Sequence, residues 1–459
     1  MPWWASSPTL CIARMEIAAN IRNLKALAAL VILIALFLIS AHLLAQDYQQ
    51  RLVNWTANQT AQRDPIVGGV VRYELRGGHF YESLGVGHDP PMPPPTSLAV
   101  LVKGLEGDLD RPVTLATTIL IGQPQEAAIR ALSPIPDLAF VVKIIVSLLA
   151  LFLSVDVLTR EKEAATLRMV LANPLSRRHV LLGKMLGASA SLLVPMVVAY
   201  ASAVVFLSVI YGLFRNESEI MRLLLIGLGS AIYGLAFVHF GLLISTITTR
   251  TRTAVILGAF FWAAVVIVLP EGMTRVAEVF SPAPTYTQTR ARIEQARRQI
   301  LREAEARSQG ELVSDPRRAI YVIRLLEMDR QLMNEYLARK GEQLSLARRI
   351  GMLSPATALA FGLSDLAGTG VRAYHAHLNV LRAGRDLMLD AYKRRFEASP
   401  EESTKALQEA ARRTASLQRQ PGSVAESTRA AIPALISIAL WWAIAGVAAY
   451  WRFEQYDVR

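Results

Sequence analysis

Six apolar stretches of about twenty residues, each nearly free of charge, constrain this chain more than anything else in its 459 residues. A run of that length covers about 30 Å as a helix, one bilayer core. The first, 27–45, reads LAALVILIALFLISAHLLA. It is longer than the apolar region of a signal peptide and lacks an A-x-A cleavage site, so it reads as a retained span. The others fall at 137–158, 185–211, 221–246, 253–270 and 432–451. Apolar residues make up 53% of the chain, and a soluble enzyme of this size would spread them among several domains. A net charge of +12 would suit a nucleic-acid binder, but here the basic residues flank the apolar blocks, as at a membrane surface. Cys11 is the only cysteine, which excludes an intrachain disulfide and a multi-cysteine metal site.

Six spans place both termini on one side, and lysine and arginine in the short loops choose that side. Arg14, Arg22 and Lys25 precede the first span, and Arg452 and Arg459 follow the last. The loop 159–184 carries Arg160, Lys162, Arg168, Arg177, Arg178 and Lys184 against Glu161 and Glu163, and the next inner turn has Arg250 and Arg252. The expected layout is therefore a cytoplasmic N-terminus (1–26), a cytoplasmic loop (159–184) and a cytoplasmic tail (452–459). Two long segments, 46–136 and 271–431, lie outside. The expected fold class is an all-α polytopic membrane protein of six transmembrane helices, with a helical extracytoplasmic domain and a smaller β-containing outer loop.

The β content is read from Val70–Leu75, 98–105 and 113–121, which are bounded by Gly77-Gly78 and by the prolines at 90–95. The second outer segment has helical spacing. Asp315-Pro316 forms a helix start, and Val322, Leu325, Leu326, Leu332, Met333, Tyr336 and Leu337 form one apolar face. Ile293 and Ile300 mark a second helix within 285–307. An apolar helix after Ser354-Pro355 runs to Leu366, a long one follows to Phe396, and another starts near Pro400 and ends before Pro421-Gly422. These helices are expected to stand on the membrane as hairpins with solvated charged faces.

The most informative stretch is 154–186, SVDVLTREKEAATLRMVLANPLSRRHVLLGKML. A span ends at Asp156, an acidic–basic helix follows, Thr166-Leu167 continues with Val170 and Leu171, and Asn173-Pro174 stops it. Ser176 can cap the next helix. Such an amphipathic inner helix either transmits a push from a soluble partner into the bundle or rests on anionic lipid.

The pattern Asp–x5–Glu–x–Glu–x2–Thr–Leu, then Asn-Pro-x-Ser-Arg and Leu-Leu-Gly-Lys, resembles the first inner loop of type-2 ABC exporter permeases. The residues carrying it are Asp156, Glu161, Glu163, Thr166, Leu167, Asn173, Pro174, Ser176, Arg177, Leu182, Gly183 and Lys184. The resemblance implies that these residues, apart from Ser176 and Leu182, form an ATPase-coupling site, docked on a separate ABC ATPase subunit that binds ATP and Mg. It also implies an amphipathic segment before the first span, Ile12–Leu24, and a second permease chain, identical or related. Leu353-Ser354-Pro355-Ala356 and Leu366-Ala367-Gly368-Thr369 resemble features of a subfamily with a large outer domain, grouped with multicopper-enzyme-maturation and gliding-motility permeases. That outer domain would offer a surface to a periplasmic partner. A membrane-anchored sensor or mechanotransmission scaffold with the same outer domain is the rival reading.

No cofactor is expected in this chain. Gly183-Lys184 lacks the upstream glycine and the following Ser/Thr of a P-loop, so the chain would not hydrolyse ATP alone. H-E-x-x-H, G-x-S-x-G and zinc patterns are missing from the sequence. His375 and His377 alternate across a helix and read as surface histidines, and His88–Met92 reads as a turn. Within the spans, Lys143 either snorkels to the interface or contacts substrate. Pro195 is expected to kink span three. These two are the candidates for a substrate path. Gly183, Gly187, Ala190 and Ser191 make a small-residue stripe suited to close helix packing.

Overall fold

The computed structural model describes residues 7–63, 94–105, 136–172, 175–307, 318–395 and 422–456, and between these last two only 406, 409, 410, 413, 416 and 417. The expectations at 70–78, 88–93, 113–121, 173–174 and 315–316, and most of 400–421, lie outside the described residues.

The chain is built from helices. An N-terminal helix α1 (Pro8–Arg22) precedes α2 (Lys25–Arg63). The next span, α3, comprises Leu138–Val141, a π-helical turn Val142–Val146 and Ser147–Ser154. Two short helices follow, α4 (Thr159–Glu163) and α5 (Thr166–Ala172), then α6 (Arg177–Ile210) and α7 (Glu217–Ile247). α8 comprises Thr251–Ala263, a second π turn Ala264–Val268 and Leu269–Phe280. Beyond it come α9 (Tyr286–Arg307), α10 (Arg318–Gly351), α11 (Pro355–Ala367), α12 (Val371–Arg395) and α13 (Val424–Glu454). Six of these segments are long and apolar enough to cross a membrane: α2, α3 continued through α4, α6, α7, α8 and α13. They surround one core whose largest sealed side chains include Tyr233, Phe237, Leu33 and Leu44.

Two stretches of 46–136 differ from expectation. Residues 46–63 continue α2 as helix, and 98–105 is not a strand. Ser97–Val100 forms a 3-10 turn, and no strand occurs among the described residues. A short apolar run does not distinguish a strand from other buried structure. Here neighbouring turns satisfy its backbone. Leu101 C=O accepts from Leu138 N–H (2.8 Å), Val102 C=O from the Thr369 hydroxyl (2.9 Å), and Lys103 N–H donates to Asp137 (3.0 Å).

The helix after Ser354-Pro355 departs further, because α11 is sunk in the bundle rather than standing outside it. It packs between α7 and α13, and its lower end meets positions inside the fifth and sixth apolar blocks. Ser354 Oγ donates to Val265 C=O (3.4 Å), Trp441 Nε1 to Leu353 C=O (3.1 Å), and Ser437 Oγ to Met352 C=O. α11 then climbs about 20 Å to Gly368, whose φ of 75° ends the helix in the left-handed region that glycine favours. The two four-residue motifs thus start and stop a re-entrant helix. Mid-span Trp441 is explained by its bond to the turn, and Trp442 stacks on His239 at 5.7 Å.

Above it, α9 and α10 form an antiparallel hairpin around Ile293, Ile300, Met333 and Leu337, laced by Arg297–Asp329 (2.8 Å) and Arg324–Glu303 (2.9 Å). α12 leans on α10 through Leu378 and the Lys393–Glu327 pair (2.6 Å).

Candidate functional site

The loop between α3 and α6 holds two short helices rather than one. α4 and α5 meet at Ala164-Ala165, where Ala165 adopts φ 56°. The turn drives Leu167 inward, 1% exposed, into a cluster with Leu158, Val180, Leu181 and Phe453. It leaves Glu163, Ala164, Ala165, Thr166, Arg168 and Met169 on the surface, with Met169 72% exposed.

Most motif residues face the bundle. Lys184, whose side chain is 3% exposed, pairs with Glu161 (2.7 Å) and with Glu16 of α1 (3.4 Å), and donates to Val157 C=O (3.4 Å). Asp156 pairs with Lys25 at the start of α2 (2.6 Å) and with Arg160 (3.0 Å). Arg177 donates to the C=O groups of Glu454 and Tyr456 at the end of α13 (both 2.7 Å). The Glu163 carboxylate accepts from Thr251 N–H (3.0 Å) and from its hydroxyl (2.7 Å). Thr166 Oγ donates to Glu161 C=O (3.4 Å). Ser176 caps α6 by accepting from His179 N–H (3.4 Å). Asn173 and Pro174 lie outside the described residues.

Gly183 and Gly187 mark where α1 crosses α6. A Cβ at Gly183 would lie 2.7 Å from the Ile12 Cβ, and one at Gly187 would lie 2.6 Å from the Glu16 Cβ and 2.9 Å from Ala13 C=O. One turn on, buried Asn20 donates to Ser191 Oγ (3.1 Å). The small-residue stripe therefore seats the N-terminal helix, and its polar members bond across the contact. Gly187→Ala is expected to weaken this seat by about 1–3 kcal/mol, because the Ala13 backbone must shift to admit one methyl group. Faster tryptic cleavage at exposed Arg14 would register it; wild-type protection would contradict the packing.

The candidates for a substrate path sit apart from this site. Lys143 lies in the π turn of α3, where its C=O accepts from Tyr233 Oη (3.0 Å) and Ser147 Oγ, and Trp262 Nε1 donates to the same Ser147 Oγ (2.8 Å). Pro195 is buried within α6, which runs through it without interruption. The two stand on different helices and form no common polar site among the described residues. His377 is buried rather than on the surface, and His375 is half-buried, where desolvation and nearby Arg382 lower its affinity for a proton. No group of three or more His, Cys, Asp or Glu placed to hold a metal occurs among the described residues.

Sequence reasoning missed Glu16, Lys25 and Lys162. Glu16 carried a signal, as the single acid on an otherwise apolar and basic N-terminal helix. Lys162 carried none beyond its two acidic neighbours. Lys162 Nζ donates to the C=O groups of Ser245 (2.8 Å), Thr246 (2.7 Å) and Thr248 (2.9 Å) at the end of α7, and lies 4.9 Å from the centre of the Tyr456 ring.

Among known proteins, the family model described as "ABC-2 family transporter protein" matches residues 10–458. No curated protein matches the chain.

Proposed function

Because the chain belongs to the ABC-2 family of transporter proteins, and so is the membrane-spanning permease subunit of an ABC transporter, we propose that it is an exporter. It would move an unidentified substrate across the bacterial plasma membrane on ATP hydrolysed by a separate ATPase subunit, which holds the ATP and Mg. Two permease chains, identical or related, pair over two such subunits, with both termini cytoplasmic.

The observation that carries this reading is the division of the inner loop into an exposed tip and a buried root. The tip, Ala164 to Met169 without the buried Leu167, presents two alanines, a threonine, an arginine and a methionine to the cytoplasm, a mixed surface suited to a protein partner. The root joins α1, α2, α6, α7 and α13 through Asp156, Glu161, Lys162, Arg177 and Lys184, and at its exposed edge Glu163 reaches α8. Closure of the ATPases on ATP would push the tip, and a rigid root delivers that push to several spans at once. Arginine and lysine concentrated in the inner loops set the orientation. The helices α9, α10 and α12 would guide or gate what leaves, or meet a periplasmic partner.

Photolabelling with an azido-ATP on protein purified gently from native membranes tests the division of labour. The expected result is a labelled polypeptide that co-purifies, with the 459-residue chain itself unlabelled. A labelled permease, or a pure permease with no nucleotide-binding companion under any extraction, would overturn it.

A further inference from the structure

Lys162 and Glu163 are neighbours in sequence, yet they hold opposite sides of one turn. Lys162 places an ammonium on the last C=O groups of α7, at 2.7–2.9 Å. Glu163 places a carboxylate on the first N–H of α8, at 3.0 Å, and on the Thr251 hydroxyl. A helix carries partial negative charge at its C-terminus and partial positive charge at its N-terminus, each with unsatisfied backbone groups. The pair therefore matches both helix ends in sign and supplies the partners that both lack. Hydroxyls reinforce the contact: Ser245 Oγ accepts from Leu158 and Thr159 N–H (2.9 and 3.1 Å), and the Thr251 hydroxyl, whose proton goes to Glu163, lies with its oxygen 3.4 Å from Thr159 Oγ.

α7 then runs about 46 Å as one uninterrupted helix of 31 residues. At Gly229 it is pressed between Leu435 of α13 and Leu363 of α11, which would lie 3.0 and 3.6 Å from an added Cβ. Near its outer end, buried Arg222 donates to Leu366 C=O of α11 (3.4 Å) and to Gly422 C=O. One rigid helix is thus clamped by polar groups to the inner loop at one end and to the re-entrant helix at the other.

We propose that Lys162 and Glu163 are positioning residues that carry the movement of the inner loop through α7 to the re-entrant helix α11. The proposal rests on the coupling reading given above. It assigns the transmission to the α7–α8 turn, separately from the Glu16–Lys184–Glu161 group that seats α1.

Hydrogen exchange on the full permease–ATPase complex in lipid nanodiscs, with and without ATP, tests it. In the wild type, ATP is expected to change exchange both in the loop 161–172 and in the re-entrant segment 348–370. In Lys162→Met the change in the loop persists and the change at 348–370 is lost, whereas Lys162→Arg keeps both. Glu163→Ala removes two acceptors at an exposed position without opening the core, and is expected to diminish the change at 348–370. In Cys11→Ser/Lys162→Met/Glu163→Cys/Thr251→Cys, bridging the two new thiols with a short bifunctional reagent is expected to restore that change. A plain stability defect would not be rescued in this way. Either Lys162→Met or Glu163→Ala with a full wild-type response at 348–370 overturns the proposal. So does a wild type whose loop responds while 348–370 does not. A wild-type loop that does not respond to ATP instead overturns the coupling reading itself.

Discussion

Lys184→Met is expected to release α1 from the bundle and to destabilise the inner face by about 3–5 kcal/mol, the cost of breaking a buried ion pair from one side. The ammonium lies between two carboxylates, and water reaches almost none of it. Methionine fills the space but leaves Glu16, itself nearly sealed, as a charge without a counter-ion. The penalty comes from the stranded carboxylates rather than from the lost attraction. Removing all three charges together, in Glu16→Gln/Glu161→Gln/Lys184→Met, should therefore recover much of the loss. Thermal unfolding in nanodiscs reads the stability, and tryptic cleavage at Arg14 and Arg22 reads the undocking. A single variant as stable and protected as wild type, or a triple variant worse than the single, would contradict the arrangement.

The second large effect is expected at the other side of the bundle. The Asp365 carboxylate of α11 is 2% exposed and is held by Arg348, which also donates to Ala430 C=O in α13 (2.9 Å). Arg348→Ala would leave that carboxylate among α11, α10 and the last span with no cation in contact, again at about 3–5 kcal/mol. The loss should be local. Backbone exchange in 348–370 rises while α1 stays protected, the reverse of the Lys184→Met pattern. Adding Asp365→Asn removes the stranded charge and is expected to restore most of the protection. If Arg348→Ala leaves exchange in 348–370 unchanged, the pair does not anchor the re-entrant helix.

Both sites show what the amino-acid order could and could not reveal. The spans were legible because about twenty uncharged apolar residues have few alternatives to crossing a bilayer. The ends of α11 were legible as motifs, since Ser354-Pro355 starts a helix and Gly368 stops one. Its depth was not legible, because a mostly apolar helix of thirteen residues suits a buried position outside a membrane as well as one inside. Placing it requires Trp441 and Ser437, some eighty residues away in sequence. The strand expected at 98–105 failed for a related reason: its partners are the turns at 137 and 369, which no local pattern announces.

At the inner loop the residue types of the motif were legible and their direction was not. An amphipathic helix read from spacing turns Leu167 toward the cytoplasm or toward lipid as readily as inward. The left-handed Ala165 decides the matter, and alanine gives no sign of it in sequence. Glu16 and Lys25 were hidden because their partners, Lys184 and Asp156, lie more than a hundred residues further along the chain.

The measurement that tests the central claim most directly is a pair of photo-crosslinks in native membranes, one from Met169 and one from Leu167. The account predicts that the probe at exposed Met169 captures a protein with a P-loop and an ABC signature. The probe at buried Leu167 should react within the chain itself, with neighbours such as Phe453. Lipid alone at Met169, or capture of the same ATPase from Leu167 and not from Met169, would contradict the division of the loop into a docking tip and a buried root.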